Sequence, residues 1–146
     1  MTSKVKIKID NQILILRFKS KTDMNQLLDP LSNEYEGELN NREGHNFPSK
    51  FIPDKSHLLS PHKKSCAYVI GMYNASGVTH ELLHAKYYVD SNYRDSINKE
   101  WTELSGKHRA HITQFLKALG YADKVIIDEY QAYRYSEPAN FFGIKF

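Results

Sequence analysis

The sequence predicts an α+β domain in which a small antiparallel or mixed sheet packs on helices. Three features carry that expectation. Val5 to Ile9 alternates at the period of a strand, Ile13 to Phe18 is a second apolar stretch, and a third apolar run at 66–73 is closed by turn formers. The second half of the chain shows apolar residues at steps of three and four, the period of a helix face. At 146 residues the chain has the length of one domain with a real core. Ten Tyr, seven Phe and one Trp, within a hydrophobic share of 40%, mark a folded rather than a disordered protein.

Taken in order, Val5, Ile7 and Ile9 alternate with Lys6 and Lys8, so one strand edge is apolar and the lysines, with Lys4, face water. Asp10-Asn11-Gln12 supplies turn chemistry, and Ile13 to Phe18 is the second arm of a hairpin. From Ser20 to Lys64 the texture turns polar and proline-rich. A short helix is expected over Asp23 to Leu31, ending near Pro30, and the remainder reads as a long irregular cover with apolar anchors at Phe47, Phe51-Ile52 and Leu58-Leu59. His45, His57 and His62 fall in this region without partner spacing and read as surface histidines.

Cys66 to Tyr73 is the third strand, and Cys66 reads as an ordinary buried thiol. Asn74-Ala75-Ser76-Gly77 then turns the chain, with Ser76 or Asn74 placed to cap a helix running from Gly77 through Tyr87-Tyr88 to about Asp90. Ile97, Trp101, Leu104, His108, Ile112, Phe115 and Leu119 form one stripe, which predicts a single long helix over Asp95 to Leu119 stopped by Gly120 and weakened at Gly106. The stripe is a core face, with His108 as a hydrogen-bonded member of it or a group behind the metal helix. The tail, Asn140 to Phe146, is strongly apolar and docks as a last strand; a rival reading sends it into a cleft, where it would hold an enzyme latent. The expected organisation is one domain, 1–146, with a hairpin at 1–19, an irregular region at 20–64, a strand and three helices at 65–137, and a tail at 138–146.

Charge and cysteine content exclude several classes. A net charge of +3 with scattered Lys and Arg gives no nucleic-acid surface. One cysteine excludes an internal disulfide framework and a cysteine-based zinc site. No run is long and apolar enough to span a bilayer and no secretory leader is visible, so no membrane partner is expected and the compartment expected is the cytoplasm.

The chemistry is concentrated in His80-Glu81-Leu82-Leu83-His84. On a helix, residues four apart lie on one face, so His80 and His84 can offer two imidazoles to one Zn²⁺. Glu81 is rotated about 100° from His80, so it can reach water activated at that ion without being a ligand, as a general base requires. Two histidines do not hold a catalytic zinc, and Ala85 to Lys107 contains no further histidine. Asp90 and Asp95 fall where the metal helix ends, and Glu100 and Glu103 lie off the apolar stripe. Ala122 to Glu137 remains, and two readings of it are open. As a helix capped by Asp123 and stopped by Pro138, it sets Glu129 beside Ile126, Tyr130 and Tyr133, with the small Ala132 one turn on. As a strand over Val125 to Tyr130, it sets Glu129 with Val125 and Ile127. In both, the acid shares an apolar side, where it is costly unless paired with Lys or Arg or bound to a metal. Glu129 is therefore the expected third ligand.

His80, Glu81 and His84 on one helix, followed by Glu129 on a later one, resemble the gluzincin group of zinc metallopeptidases. The stretch Glu129-Tyr130-Gln131-Ala132 is similar to the glutamate helix of its minimal single-domain members and of the lethal-factor-like branch. The resemblance covers roughly Tyr68 to Tyr135. It implies a small sheet packed on a zincin-like active-site helix and a glutamate helix, with zinc held by His80, His84 and Glu129 and with Glu81 as general base. Four residues after the third ligand, where many gluzincins carry an Asp that orients a histidine, this chain has Tyr133; Asp128 is the alternative for that role, although its direction on the helix is different. Tyr133, one helical turn past Glu129, is the first choice for the group that steadies the oxyanion. The function implied is zinc-dependent hydrolysis of peptide bonds in a peptide or protein substrate. Its rivals are a catalytically silent binding protein of the same build and a structural domain whose motif is accidental.

Overall fold

The computed structural model of the protein describes residues 5–74 and 77–146. It is an α+β fold built on one four-stranded mixed sheet. Strands β1 (Val5–Asp10) and β2 (Ile13–Phe18) form the expected hairpin, with Ile9 opposite Leu14 and Asp10 opposite Ile13. Asn11 and Gln12 close it at φ 48° and 69°, the backbone sign that a two-residue hairpin turn demands. Strand β4 (Tyr68–Met72) runs parallel to β2, and β3 (His45–Pro48) pairs antiparallel to β4, giving the order β1-β2-β4-β3. The cap expected at Ser76 and the outward Lys4 lie outside the described residues; the residue at the helix N-cap is Gly77, without a side-chain bond.

The region expected to be irregular is more ordered than its composition suggests. Helix α1 spans Lys21–Glu36, passing through Pro30 rather than ending there. Ser20 caps it, its Oγ accepting from Asp23 N–H at 3.1 Å. An interior proline costs about 3 kcal/mol. Burial of Met24, Leu28 and Leu31 against Leu14, Leu16 and Phe18, at about 1.5–3 kcal/mol for each large side chain, offsets it. Gly71 in β4 lets this helix close on the sheet, since a Cβ there would meet Leu28 Cδ1 at 2.5 Å. The opposite face carries Ile13, Ile15, Tyr68, Ile70 and Met72 against Val78 and Ala85 of α2 (Val78–Val89). Two cores thus sandwich one sheet.

The long helix is in fact two. Helix α3 (Ser91–Glu103) and helix α4 (Gly106–Ala118) break at Leu104 and Ser105, both extended. Ser105 caps α4 by accepting from His108 N–H at 3.0 Å. Arg109 turns back to donate to the Thr102 and Leu104 carbonyls, both at 2.8 Å. The stripe runs through the break because both helices face one cluster, where Ile112 and Leu116 meet Ile126, Tyr130 and Phe142. Helix α5 (Ile126–Ser136) follows a 3₁₀ turn at Asp123–Val125; Asp123 does not cap it but pairs with Lys117 at 2.9 Å. The tail forms turns, not a strand. Phe142 is buried in that cluster and Phe141 stacks on Tyr133 at 4.7 Å, so the described tail buttresses α5 and none of it lines the cleft described below. No helix among the described residues is long and apolar enough to cross a membrane.

His45 is a correction of its own: it is fully buried in β3. Its Nε2 lies 2.7 Å from Asn25 Oδ1 and its Nδ1 2.6 Å from Ser32 Oγ. Asn25 Nδ2 donates to the Arg42 carbonyl, which fixes the amide, so Nε2 carries the proton and Nδ1 accepts. Burial, with the Arg42 guanidinium adding to it, pulls the His45 pKa down to about 3. The unfolded chain then binds the extra proton first, at its ordinary value near 6.5, so stability falls as pH drops from 6.5 toward 3. A loss of about 2 kcal/mol between pH 7 and pH 5 is expected from this residue. Urea unfolding at the two pH values checks it, and the drop should shrink by that amount in His45→Gln.

Candidate metal centre

Helices α2 and α5 pack against each other, and their contact brings the motif histidines to Glu129. His80 and His84 stand one turn apart on α2, with their Nε2 atoms 3.1 Å apart. Glu129 Oε1 is 3.2 Å from His84 Nε2 and 3.7 Å from His80 Nε2. Zinc bonds of about 2.0–2.1 Å in a tetrahedron place ligand atoms about 3.3 Å from one another. The observed triangle brackets that edge length. Among the described residues these three form the one group of histidines, cysteines and acids able to hold an ion.

Hydrogen bonding fixes which nitrogens are free. His84 Nδ1 lies 2.8 Å from Asp128 Oδ1, an acceptor, so Nδ1 carries a proton and the neutral ring presents its lone pair at Nε2. His80 Nδ1 is 3.1 Å from Ser136 Oγ, which spends its own proton on the Ala132 carbonyl at 2.6 Å and therefore accepts. Both Nε2 lone pairs point at one place. Glu129 is 1% exposed, and neither of its oxygens has a hydrogen-bond partner. A buried carboxylate facing two imidazole nitrogens calls for positive charge between them, either a second ring proton on His84 or a metal cation. Burial opposes charge on His84, yet Asp128 and Glu129 outweigh it and raise its pKa well above the ordinary value. Burial likewise opposes ionisation of Glu129, but His84 and His80 hold it below the usual carboxylate range. The donor set fits zinc, with two neutral imidazoles, one carboxylate and tautomers locked from behind.

Asp128, the alternative for the residue that orients a histidine, does contact His84. Adjacent positions on α5 differ by about 100°, and the His84 ring sits between them, Nδ1 toward Asp128 and Nε2 toward Glu129. Gln131, fully buried and not anticipated, donates to Asp128 Oδ1 at 3.0 Å and to the Leu83 carbonyl at 3.1 Å, and accepts from Tyr93 OH at 2.8 Å. Of the other candidates, Asp90 caps α3, accepting from Tyr93 N–H. Glu100 is half-buried, with Tyr130 OH and Tyr135 OH donating to it. His108 lies against Phe146, at 6.0 Å.

A cleft of about 710 Å³ opens over this centre, lined among others by His80, Glu81, Tyr121, Tyr133 and the 39–44 rim. Glu81 is 5% exposed, and burial raises its pKa above the usual carboxylate range despite the neighbouring histidines. Its position depends on Gly44, just before β3. A Cβ there would stand 2.5 Å from Glu81 Oε1 and 3.0 Å from its Cδ. Gly44→Ala is therefore expected to push the carboxylate aside without touching the His80, His84 and Glu129 group, and on the hydrolase reading proposed below it would lower turnover by about 10²-fold with zinc content unchanged. Steady-state kinetics beside metal analysis reads both quantities.

Tyr133 packs its ring on His80 at 4.5 Å, and its hydroxyl is 2.8 Å from that of Tyr121. Burial, then Glu129, pushes the Tyr133 hydroxyl up to about 12, and the same two causes raise Tyr121. Both hydroxyls stay protonated at neutral pH and can donate. Tyr121 was not among the expected site residues; Ala122 N–H, donating to the Glu36 carbonyl at 2.7 Å, anchors its loop to the end of α1. No family model, curated protein or solved structure matches the chain, so this geometry carries the functional reading by itself.

Proposed function

We propose that the protein is a zinc-dependent metallopeptidase of the gluzincin kind, acting on peptide bonds of a peptide or protein. The observation that carries the reading is the buried triangle of two Nε2 lone pairs and a Glu129 oxygen, with edges of 3.1, 3.2 and 3.7 Å, beside a buried Glu81 in a cleft. His80, His84 and Glu129 would hold the ion, with Asp128 and Ser136 fixing the rings. Zinc in such a site supplies a Lewis acid that brings the pKa of water toward about 7 and polarises a carbonyl oxygen. Glu81 takes the proton of the attacking water and delivers it to the leaving amine. Tyr133, or Tyr121 through it, donates to the carbonyl oxygen as it gains charge.

An extended substrate has a natural place to lie. Ser49 N–H donates to the Ala67 carbonyl at 3.0 Å, and antiparallel alternation then turns the main-chain groups of Asn46 away from β4, on the side of the cleft that Asn46 lines. A lone buried thiol, Cys66, suits a reducing compartment, and we place the enzyme in the cytoplasm.

The purified chain should carry one zinc by metal analysis and cleave an unfolded protein. Cleavage should stop on chelation and return with zinc. A chain that retains no zinc at stoichiometric supply would overturn the proposal, and one that binds zinc but cleaves nothing would leave a binding protein of the same build.

A further inference from the structure

The charges lining the cleft are one-sided, although the whole chain is cationic at +3. Four glutamates line it, Glu36, Glu43, Glu81 and Glu137, against one arginine, Arg42. That arginine is committed elsewhere. Its guanidinium is 6% exposed and donates to Glu36 Oε1 at 2.9 Å, to Asn33 Oδ1 at 3.0 Å and to the Gly37 carbonyl at 2.9 Å. Arg42 is therefore committed to Glu36 and, through its Nε at 3.7 Å, to Asp29. A divalent ion in the centre would be matched by Glu129 and Asp128, so it would leave the lining negative. Glu81 remains, buried beside the centre with its Oε2 unpartnered, as do Glu43 and Glu137 on the two walls. Glu43 is partly satisfied by Lys21 and Tyr73. Glu137 is exposed, and no ion pair among the described residues engages it.

Glu137 also has a suitable neighbour. Tyr135, 47% exposed, lines the same cleft, and its hydroxyl is tied to Glu100, which holds the ring as a fixed wall. Arg134 covers part of the same ring, its guanidinium 5.7 Å from the Tyr135 centroid, and is held there by the Phe146 ring at 3.8 Å and by donation to Tyr130 OH, so it pairs with Glu100 and these rings rather than with Glu137. An aromatic face with a free carboxylate two residues on is a receptor for a long cationic side chain, the ring covering the stem or the guanidinium plane and the acid meeting the charge. Glu137 directly follows Ser136, the residue that orients His80, so this receptor stands next to the reacting position.

Resting on the hydrolase reading, we infer that the cleft takes polypeptide segments bearing Lys or Arg close to the bond to be cut, with Glu137 and Tyr135 as specificity determinants and Glu43 as a weaker one. The test separates this inference from that reading by measuring binding without turnover. Zinc-loaded Glu81→Gln protein is titrated with fluorescent peptides identical except for Lys, Gln or Glu at each position, with anisotropy as the readout. Lys peptides should bind tighter than Glu peptides by about two- to fivefold for each carboxylate engaged, and the gap should narrow as salt rises. Glu137→Gln should reduce the preference, Glu137→Lys should invert it, and Tyr135→Ala should weaken Lys and Arg peptides more than Gln peptides. Equal binding of the three series, or a preference unaffected by Glu137→Lys, overturns the inference even if the wild-type chain cleaves peptides. Charge-selective binding without any cleavage by the wild type would uphold the ligand class and reject the hydrolase.

Discussion

Changing Glu81 to Gln is expected to lower peptide hydrolysis by about 10²–10⁴-fold while zinc stays bound. The two halves of this result have separate causes. Glu81 is isosteric with Gln, lines the cleft and lies off the ligand triangle, which is made by His80, His84 and Glu129 alone. Nothing that holds the ion changes. What disappears is a proton acceptor in a place where burial has already raised its basicity. An amide cannot take a proton from water at neutral pH, so the attacking group is no longer generated beside the carbonyl. Loss of zinc together with activity would mean instead that Glu81 is part of the cage. Retention of both would assign the base to another group and leave the motif's glutamate as a buried packing residue. The measurement is kcat/KM on a peptide, beside metal content on the same preparation.

The comparison of sequence with structure turns on the range over which each signal acts. The meeting of His80, His84 and Glu129 was legible because helical spacing fixes His80 against His84, and because a carboxylate on an apolar helix face announces a partner. The hairpin was legible for the same local reason. The full length of helix α1 was not, since Pro30 and the polar residues around it mask a face whose worth lies in Leu14, Leu16 and Gly71 of strands it meets only in three dimensions. His45 looked like a surface residue because its two partners, Asn25 and Ser32, are 20 and 13 positions away. The break between α3 and α4 was hidden by a stripe that keeps its phase across two helices, although Ser105-Gly106 with Arg109 is a cap signal in retrospect. Asp128 was legible only as an alternative, because its direction on the helix differs from that of the position one turn past Glu129, whereas its target is the far nitrogen of a ring that lies between it and Glu129. An Asp-Glu pair set in Val125-Ile126-Ile127 and followed by Tyr130 was the available clue.

That shared ring makes the second large effect separable from the first. Glu129→Ala is expected to weaken zinc binding well beyond the roughly 10–100-fold that removal of an outer partner costs, because it deletes one of three bonds to the ion. Asp128→Asn is the matching control and should fall within that smaller range, since Asn can still accept from His84 Nδ1–H but carries no charge. A 100-fold change is about 2.7 kcal/mol, readily resolved by competition with a chromophoric chelator. The metal-free proteins should behave differently. Glu129 is a buried carboxylate with no hydrogen bond to either oxygen, and burial and Glu129 together raise the pKa of Glu36 well above its usual value. Removing Glu129 relieves that crowding but also takes away its contacts with His84 and His80, so the thermal midpoint without metal should fall, while the increment on adding zinc largely vanishes. If Glu129→Ala instead keeps full affinity and loses stability in both states, Glu129 is a structural partner of the two histidines, and the ion, where one binds, is held by another group.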